Sequence, residues 1–243
     1  MMRAPKSLNV DEADSDSPVL LVPDVHVHSV TLQFPVDEVM LTGDLEIPAN
    51  ACGLVLFAHG SGSSRRSPRN RAVAEGLRRS GLGTLLFDLL DDREEIEDSD
   101  SGHLRFDIGL LSRRLALVTQ EIASDARSQG LALGYFGAST GAAAALRAAV
   151  VSATVIGAVV ARGGRPDLAG EALQHVKAPT LLIVGECDDD VLRLNELAYE
   201  QLRCEKSLAI VPRATHLFQE PGTLGEVTRL AAAWFRRHLG GRQ

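Results

Sequence analysis

The sequence predicts an α/β fold: a mostly parallel, doubly wound sheet that opens with an antiparallel hairpin and carries helices on both faces. Three observations predict it. After residue 53, short continuous apolar runs alternate with longer stretches in which apolar residues recur every three or four positions. That is the pattern of strands buried on both sides and joined by crossover helices. Before residue 53, two segments alternate instead, as in strands with one solvated face. The third observation is one apolar run, LALGYF, that passes directly into Gly137-Ala138-Ser139-Thr140-Gly141 and then a run of alanines, which reads as strand, tight turn and helix.

Taken in order, residues 1 to 18 are polar and read as a flexible tail, and residues 19 to 243 read as a single domain. Val25 to Phe34 and Met40 to Ile47 alternate on either side of Pro35-Val36-Asp37 and form the hairpin. Gly53 to Ala58 is the first central strand and ends in His59-Gly60-Ser61-Gly62-Ser63-Ser64. Pro68 opens a helix that carries Val73, Ala74 and Leu77 at helical spacing and stops at Gly81. Thr84 to Phe87 is the next strand. The stretch from Asp91 to Gly102 follows it and, being dense in like charge, reads as a mobile, solvated flap, with an inert surface loop as the alternative. From Leu104 to about Arg127 the chain has its longest amphipathic pattern. Val155 to Ala161, Thr180 to Gly185 and Ser207 to Val211 complete the sheet, with helices over residues 191 to 203 and 222 to 239.

Composition narrows the function. The net charge is −7, and between Asp91 and Asp100 seven acids and one arginine account for −6 of it. A nucleic-acid binder needs a basic face, so that class is excluded. No apolar run reaches the roughly 18 residues of a membrane span, and the start lacks the apolar core of an export signal, so a cytoplasmic protein without a membrane partner is expected. Three cysteines at unrelated spacings suit reduced thiols. They offer no metal-ligand spacing, and nothing in the sequence specifies an oligomer.

The chemistry centres on Ser139. A serine flanked two residues away on each side by glycine, at a strand-to-helix junction, has the form of a nucleophile elbow. The helix beginning at Thr140 turns its free N–H groups toward the place where a tetrahedral oxyanion would form. A serine needs a base, and the base needs an acid to orient it. Serines on sheets of this kind are followed along the chain by the acid and then the histidine. Asp188, just past Thr180 to Gly185, is the candidate acid, with Glu186, Asp189 and Asp190 as competitors. His216, between the last strand and the last helix, is the candidate base. The backbone of Ser61 is the candidate second oxyanion donor beside Thr140.

Taken together, the motifs HGSGSSRRSPRN, HLRFDIGLL, GYFGASTGAAAAL, RGGRPDL, APTLLIVG and PRATHLFQEPG resemble the α/β-hydrolase superfamily, and within it the dienelactone-hydrolase-like group. The resemblance spans roughly residues 25 to 239. It implies an α/β-hydrolase fold and hydrolysis of a small carboxylic ester or lactone through an acyl-enzyme, with no cofactor. The chain departs from true dienelactone hydrolases in having Ser139 where those enzymes have cysteine. Other acyl chemistry on the same residues (thioester or amide cleavage, or acyl transfer) is the alternative, as is a binding protein that has kept the fold. Arg162 and Arg165 follow one strand at the predicted site edge, and Arg65, Arg66 and Arg69 follow the glycine-rich loop. Guanidinium forks there would favour a substrate with a second, anionic group, although such arginines also pair readily with nearby carboxylates.

Overall fold

A computed structural model describes residues 27–241; the expected tail, residues 1 to 18, and the first two residues of the expected hairpin, Val25 and His26, lie outside the described residues. Strands β1 (Val27–Val36) and β2 (Val39–Pro48) pair antiparallel across Asp37-Glu38. The six that follow are β3 (Leu54–Ala58), β4 (Gly83–Phe87), β5 (Leu133–Ala138), β6 (Ile156–Arg162), β7 (Thr180–Gly185) and β8 (Lys206–Val211). They form one sheet in the order β1-β2-β4-β3-β5-β6-β7-β8, parallel from β4 to β8. Every residue of β3 to β7 is buried, which is why these strands read as unbroken apolar runs.

The chain steps from β3 outward to β4, then returns to the other side of β3 as β5. The carboxyl ends of β3 and β5 therefore flank the crevice where doubly wound sheets bind ligands.

Helices α1 (Pro68–Arg79) and α6 (Thr223–Leu239) cover one face, through Val73 and Leu77 and through Val227, Ala231 and Phe235. On the other face lie α3 (Ile108–Ser124), α4 (Thr140–Val151) and α5 (Asp189–Gln201). The alanines of α4 are buried all round, and their small side chains let the helix sit close over the centre of the sheet. An irregular 3₁₀ segment, Pro166–His175, fills the β6–β7 connection. Among the described residues no helix is long and apolar enough to cross a membrane.

The acidic stretch is not a flap. It contains α2 (Asp92–Ser101), opened by a capping box in which Asp91 accepts the Glu94 N–H while Glu94 accepts that of Asp91. Glu94 also grips the buried Arg114 of α3 through two hydrogen bonds of 2.6 Å. Asp98 is buried and accepts from the Leu104 and Arg105 backbones and from the Arg105 Nε at 2.6 Å. Those bonds hold residues 104 to 107 outside the helix, so α3 starts at Ile108, capped by Asp107. Specific cationic partners thus offset the repulsion among the acids.

Glu94→Gln should therefore lower stability by about 2 to 3 kcal/mol, because it removes the charge at the two short bonds to a buried guanidinium, which keeps only the Leu89 carbonyl at 2.9 Å and the Asp37 carboxylate at 3.8 Å. Asp100→Asn, whose carboxylate meets only Ser99, should change it by less than about 0.5 kcal/mol. Thermal melts of the two variants check this, and equal effects would contradict it.

Candidate active site

Ser139 joins β5 to α4 with φ 51° and ψ −122°, a backbone position that costs a non-glycine residue about 1 to 3 kcal/mol. Neighbouring backbone holds it there. Its N–H donates to the Arg162 carbonyl at 3.2 Å, and its own carbonyl accepts from Arg165 at 3.0 Å and from Ala142 at 3.1 Å. The turn also demands glycine on steric grounds. A Cβ on Gly141 would overlap the carbonyl oxygens of Ala58 and His59, so only glycine lets α4 press against the end of β3. Gly60, in turn, lies against Ser139: a Cβ there would come 3.0 Å from the Ser139 Cβ.

Two loops from the neighbouring strands converge on the same edge. The Glu186 and Cys187 N–H groups donate to the carbonyls of Val211 and Ala214, so the loops after β7 and β8 are zipped together. His216 Nδ1 lies 2.7 Å from Asp188 Oδ2, in the geometry of an Nδ1–H that donates to a carboxylate and leaves Nε2 free to accept a proton. Asp188 is also the N-cap residue of α5, yet its side chain makes no capping bond. Aspartate at an N-cap ordinarily accepts from the helix's first turn; here the imidazole has taken that place. Its competitors are engaged elsewhere or point outward. Glu186 accepts the Arg213 N–H at 2.7 Å, Asp190 pairs with Arg193 at 2.9 Å, and Asp189 is exposed.

The loop Arg162-Gly163-Gly164-Arg165 connects the two halves of the site. It pins the Ser139 backbone on one side. On the other, Gly163, at φ 49°, packs against His216, so that a Cβ there would lie 3.2 Å from the His216 carbonyl oxygen and 3.6 Å from Nδ1.

The candidate oxyanion donors also meet, but not as two free amides. Thr140, first in α4, has an N–H without an intrahelical acceptor. The Ser61 N–H donates at 2.9 Å to the Thr140 hydroxyl oxygen, across 79 residues of chain. His59 steadies this loop from below. Its ring bonds the Gly60 carbonyl at 3.0 Å and accepts the Leu89 N–H at 3.0 Å.

Burial holds the His59 imidazole below its ordinary pKa of 6.5, against the opposite pull of the Gly60 carbonyl and Asp88. Below about pH 6.5 the unfolded chain therefore protonates at His59 and the folded one does not. Stability is unaffected above that pH and is lost below it, by up to roughly 1.4 kcal/mol per pH unit until the folded pKa is reached. Between pH 7.5 and 5.5 the melting temperature should fall further for the wild type than for His59→Gln. Parallel curves would contradict this.

Of the arginines expected near the substrate, two are already engaged. Arg65 pairs with Asp88 through both backbone and side chain, and also lies 3.4 Å from Asp44. Arg165 grips Asp167 through two bonds of 2.8 and 2.9 Å. Neither fork is free for a ligand. Arg162 differs: it is 8% exposed, it approaches the Phe218 ring, and its nearest polar partner is Asn70 Oδ1 at 3.4 Å. A cleft of about 500 Å³ opens between the Gly60 to Ser64 loop and the α2–α3 connection; Ser139, Asp188 and His216 are not in its wall, but Gly60, which packs against Ser139, is. Among the described residues no group of three His, Cys, Asp or Glu side chains could hold a metal ion.

Comparison with known proteins places the chain in a family. A dienelactone hydrolase of Anabaena variabilis is 56% identical and superimposes with a TM-score of 0.86 over 88% of this chain and 99% of that one. The chain belongs to the dienelactone-hydrolase-like group of the α/β-hydrolases. More remote members of the fold include the esterase Est1E of Butyrivibrio proteoclasticus, 16% identical with a TM-score of 0.71 over 86% of this chain and 98% of that one. Two Mycobacterium tuberculosis proteins provisionally named phosphoribosyl transferases are 53% identical over 203 residues, which is 84% of this chain and 45% of theirs. This dienelactone-hydrolase-like chain thus spans about half the length of the curated relatives it matches. No family model matches it.

Proposed function

We propose that the chain is a cytoplasmic serine hydrolase that cleaves a small carboxylic ester or lactone through an acyl-enzyme, with residues 19 to 243 acting as one domain. The observation that carries this reading is the 2.7 Å His216–Asp188 bond, formed by an aspartate that leaves its own helix uncapped and reached through a loop that also pins Ser139. His216 Nε2 takes the Ser139 proton as the hydroxyl oxygen attacks the acyl carbon, and Asp188 holds the ring and stabilises the imidazolium. The imidazolium then returns that proton to the leaving alkoxide. Water, deprotonated by the same histidine, attacks the acyl-enzyme; the Ser139–acyl bond breaks, the imidazolium returns the proton to Ser139 Oγ, and the acid is released.

The Thr140 N–H receives the oxyanion. The Ser61 N–H is the second donor, and it exchanges the Thr140 hydroxyl for the oxyanion as the substrate arrives. Similarity to a dienelactone hydrolase supports ester-type hydrolysis. The chain covers 45% of the mycobacterial relatives, and their transferase name is not carried over to it.

Labelling with a fluorophosphonate probe, followed by steady-state assay on matched ester, thioester and amide acyl donors, tests the proposal. Labelling at Ser139 with preference for esters is expected; no labelling, or preference for amides, would overturn it.

A further inference from the structure

Arg162 presents a buried charge without a counter-charge. Among the described residues its Nε and Nη1 atoms have no hydrogen-bond partner and no carboxylate pairs with it, and burial lowers its pKa to about 10. An isolated cation in such a place is costly unless an anion completes it. The guanidinium is aimed at the first turn of α1, where its Nη2 meets Asn70. The residue before Asn70 is Arg69, whose Nε is likewise buried and unpartnered among the described residues, and whose charge repels that of Arg162.

Arg69 lines the cleft that reaches Ser139 through Gly60, as do Ser61, Ser63, Ser64 and the N-cap Ser67. The Ser67 hydroxyl already accepts the Asn70 N–H, so its own proton remains to donate. The dipole of the twelve-residue α1 adds positive potential at the same spot. Glu95 and the mutually paired Asp98 and Arg105 also line the cleft, so among the described residues its unpaired cations lie on the α1 side.

Resting on the reading of Ser139 as nucleophile, we propose that the ester substrate carries a phosphate monoester, and that its dianion sits in the cleft at the α1 N-terminus, against Arg69 and the Ser67 hydroxyl, with Arg162 behind them. Two uncompensated guanidinium charges are matched by a dianion, whereas one carboxylate would neutralise only half of the pair. Arg69 supplies the direct contact. Arg162 supplies the second charge from a low-dielectric position, where it is screened little by salt.

The test uses three acetyl esters differing only in the distal group: 2-methoxyethyl acetate, 3-acetoxypropanoate and 2-acetoxyethyl phosphate. Wild type should prefer the phosphate ester over the neutral one by at least about thirtyfold in kcat/KM, with the carboxylate between them. That ratio should fall at least tenfold in Arg69→Met and in Arg162→Met, and recover in part in Arg162→Lys, which restores the charge. An unchanged ratio in both methionine variants, or equal rates for carboxylate and phosphate, would overturn the proposal.

A binding arm separates this site from the catalytic reading. At constant ionic strength, inorganic phosphate at a hundredfold excess over its Kd should raise the melting temperature of Ser139→Ala by about 5 °C, and of Ser139→Ala/Arg69→Met by much less. If none of the esters is cleaved yet this difference appears, the anion site stands and the hydrolase reading falls. If the neutral ester is cleaved at Ser139 and phosphate stabilises both proteins equally, the anion site falls.

Discussion

Ser139→Ala should lower kcat by about 10⁴ to 10⁶ on any ester the protein hydrolyses, because nucleophile, base and acid act as a unit and removal of one disables the set. The same variant should fold as well as the wild type. Everything that fixes residue 139 is backbone: its N–H to the Arg162 carbonyl, and its carbonyl to the Arg165 and Ala142 N–H groups. The hydroxyl takes no part in those bonds. Ser139→Gly should be as inactive yet melt higher, since glycine adopts φ 51° without the strain that serine bears there. Steady-state kinetics and thermal melts on the three proteins check both statements. Activity above a tenth of wild type in Ser139→Ala would end the proposed mechanism.

The parallel sheet is legible in the sequence because β3 to β7 are buried on both faces and so appear as unbroken apolar runs, with the active-site loops at their carboxyl ends. The same property hides other features. A continuous apolar strand carries no alternation, so nothing in Val155 to Arg162 tells which face its last residue takes. Arg162 therefore reads as one of several arginines at the site edge, whereas its side chain turns under α1 and is buried.

The helix in the acidic stretch is illegible for another reason. Its local charge pattern opposes helix formation, and the groups that reverse the balance are Arg105 and Arg114, well outside it in sequence. The capping box at Asp91 and Glu94, the i,i+4 spacing of Arg93 and Glu97, and Gly102 at its end are the local signals for it. Contact between Ser61 and Thr140 belongs to the same class. The glycine-rich loop and the elbow are each readable as oxyanion elements, but that one donates to the other's hydroxyl depends on how closely Gly141 lets α4 approach β3.

Asp188→Asn should lower kcat by about 10³ to 10⁴. The carboxylate accepts from His216 Nδ1 at 2.7 Å and thereby selects the tautomer whose Nε2 is free to act as base. An amide at that position can present its NH₂ to Nδ1 instead, which selects the other tautomer and leaves the imidazolium without a counter-charge. Loss of fold does not explain such a decrease. Asp188 makes no side-chain capping bond to α5, and the zipper between the Glu186-Cys187 and Val211-Ala214 backbones does not involve its side chain. The melting temperature of Asp188→Asn should therefore stay within about 2 °C of the wild type, as expected for a change of less than about 0.5 kcal/mol. The neighbouring acids provide the contrast. Asp189 is exposed, and Glu186 holds the Arg213 N–H at the rim of the same loop, so Asp189→Asn and Glu186→Gln should each retain more than a third of wild-type kcat. A thousandfold loss in either of these, with Asp188→Asn active, would move the acid to that residue and require the β7 loop to rearrange when substrate binds.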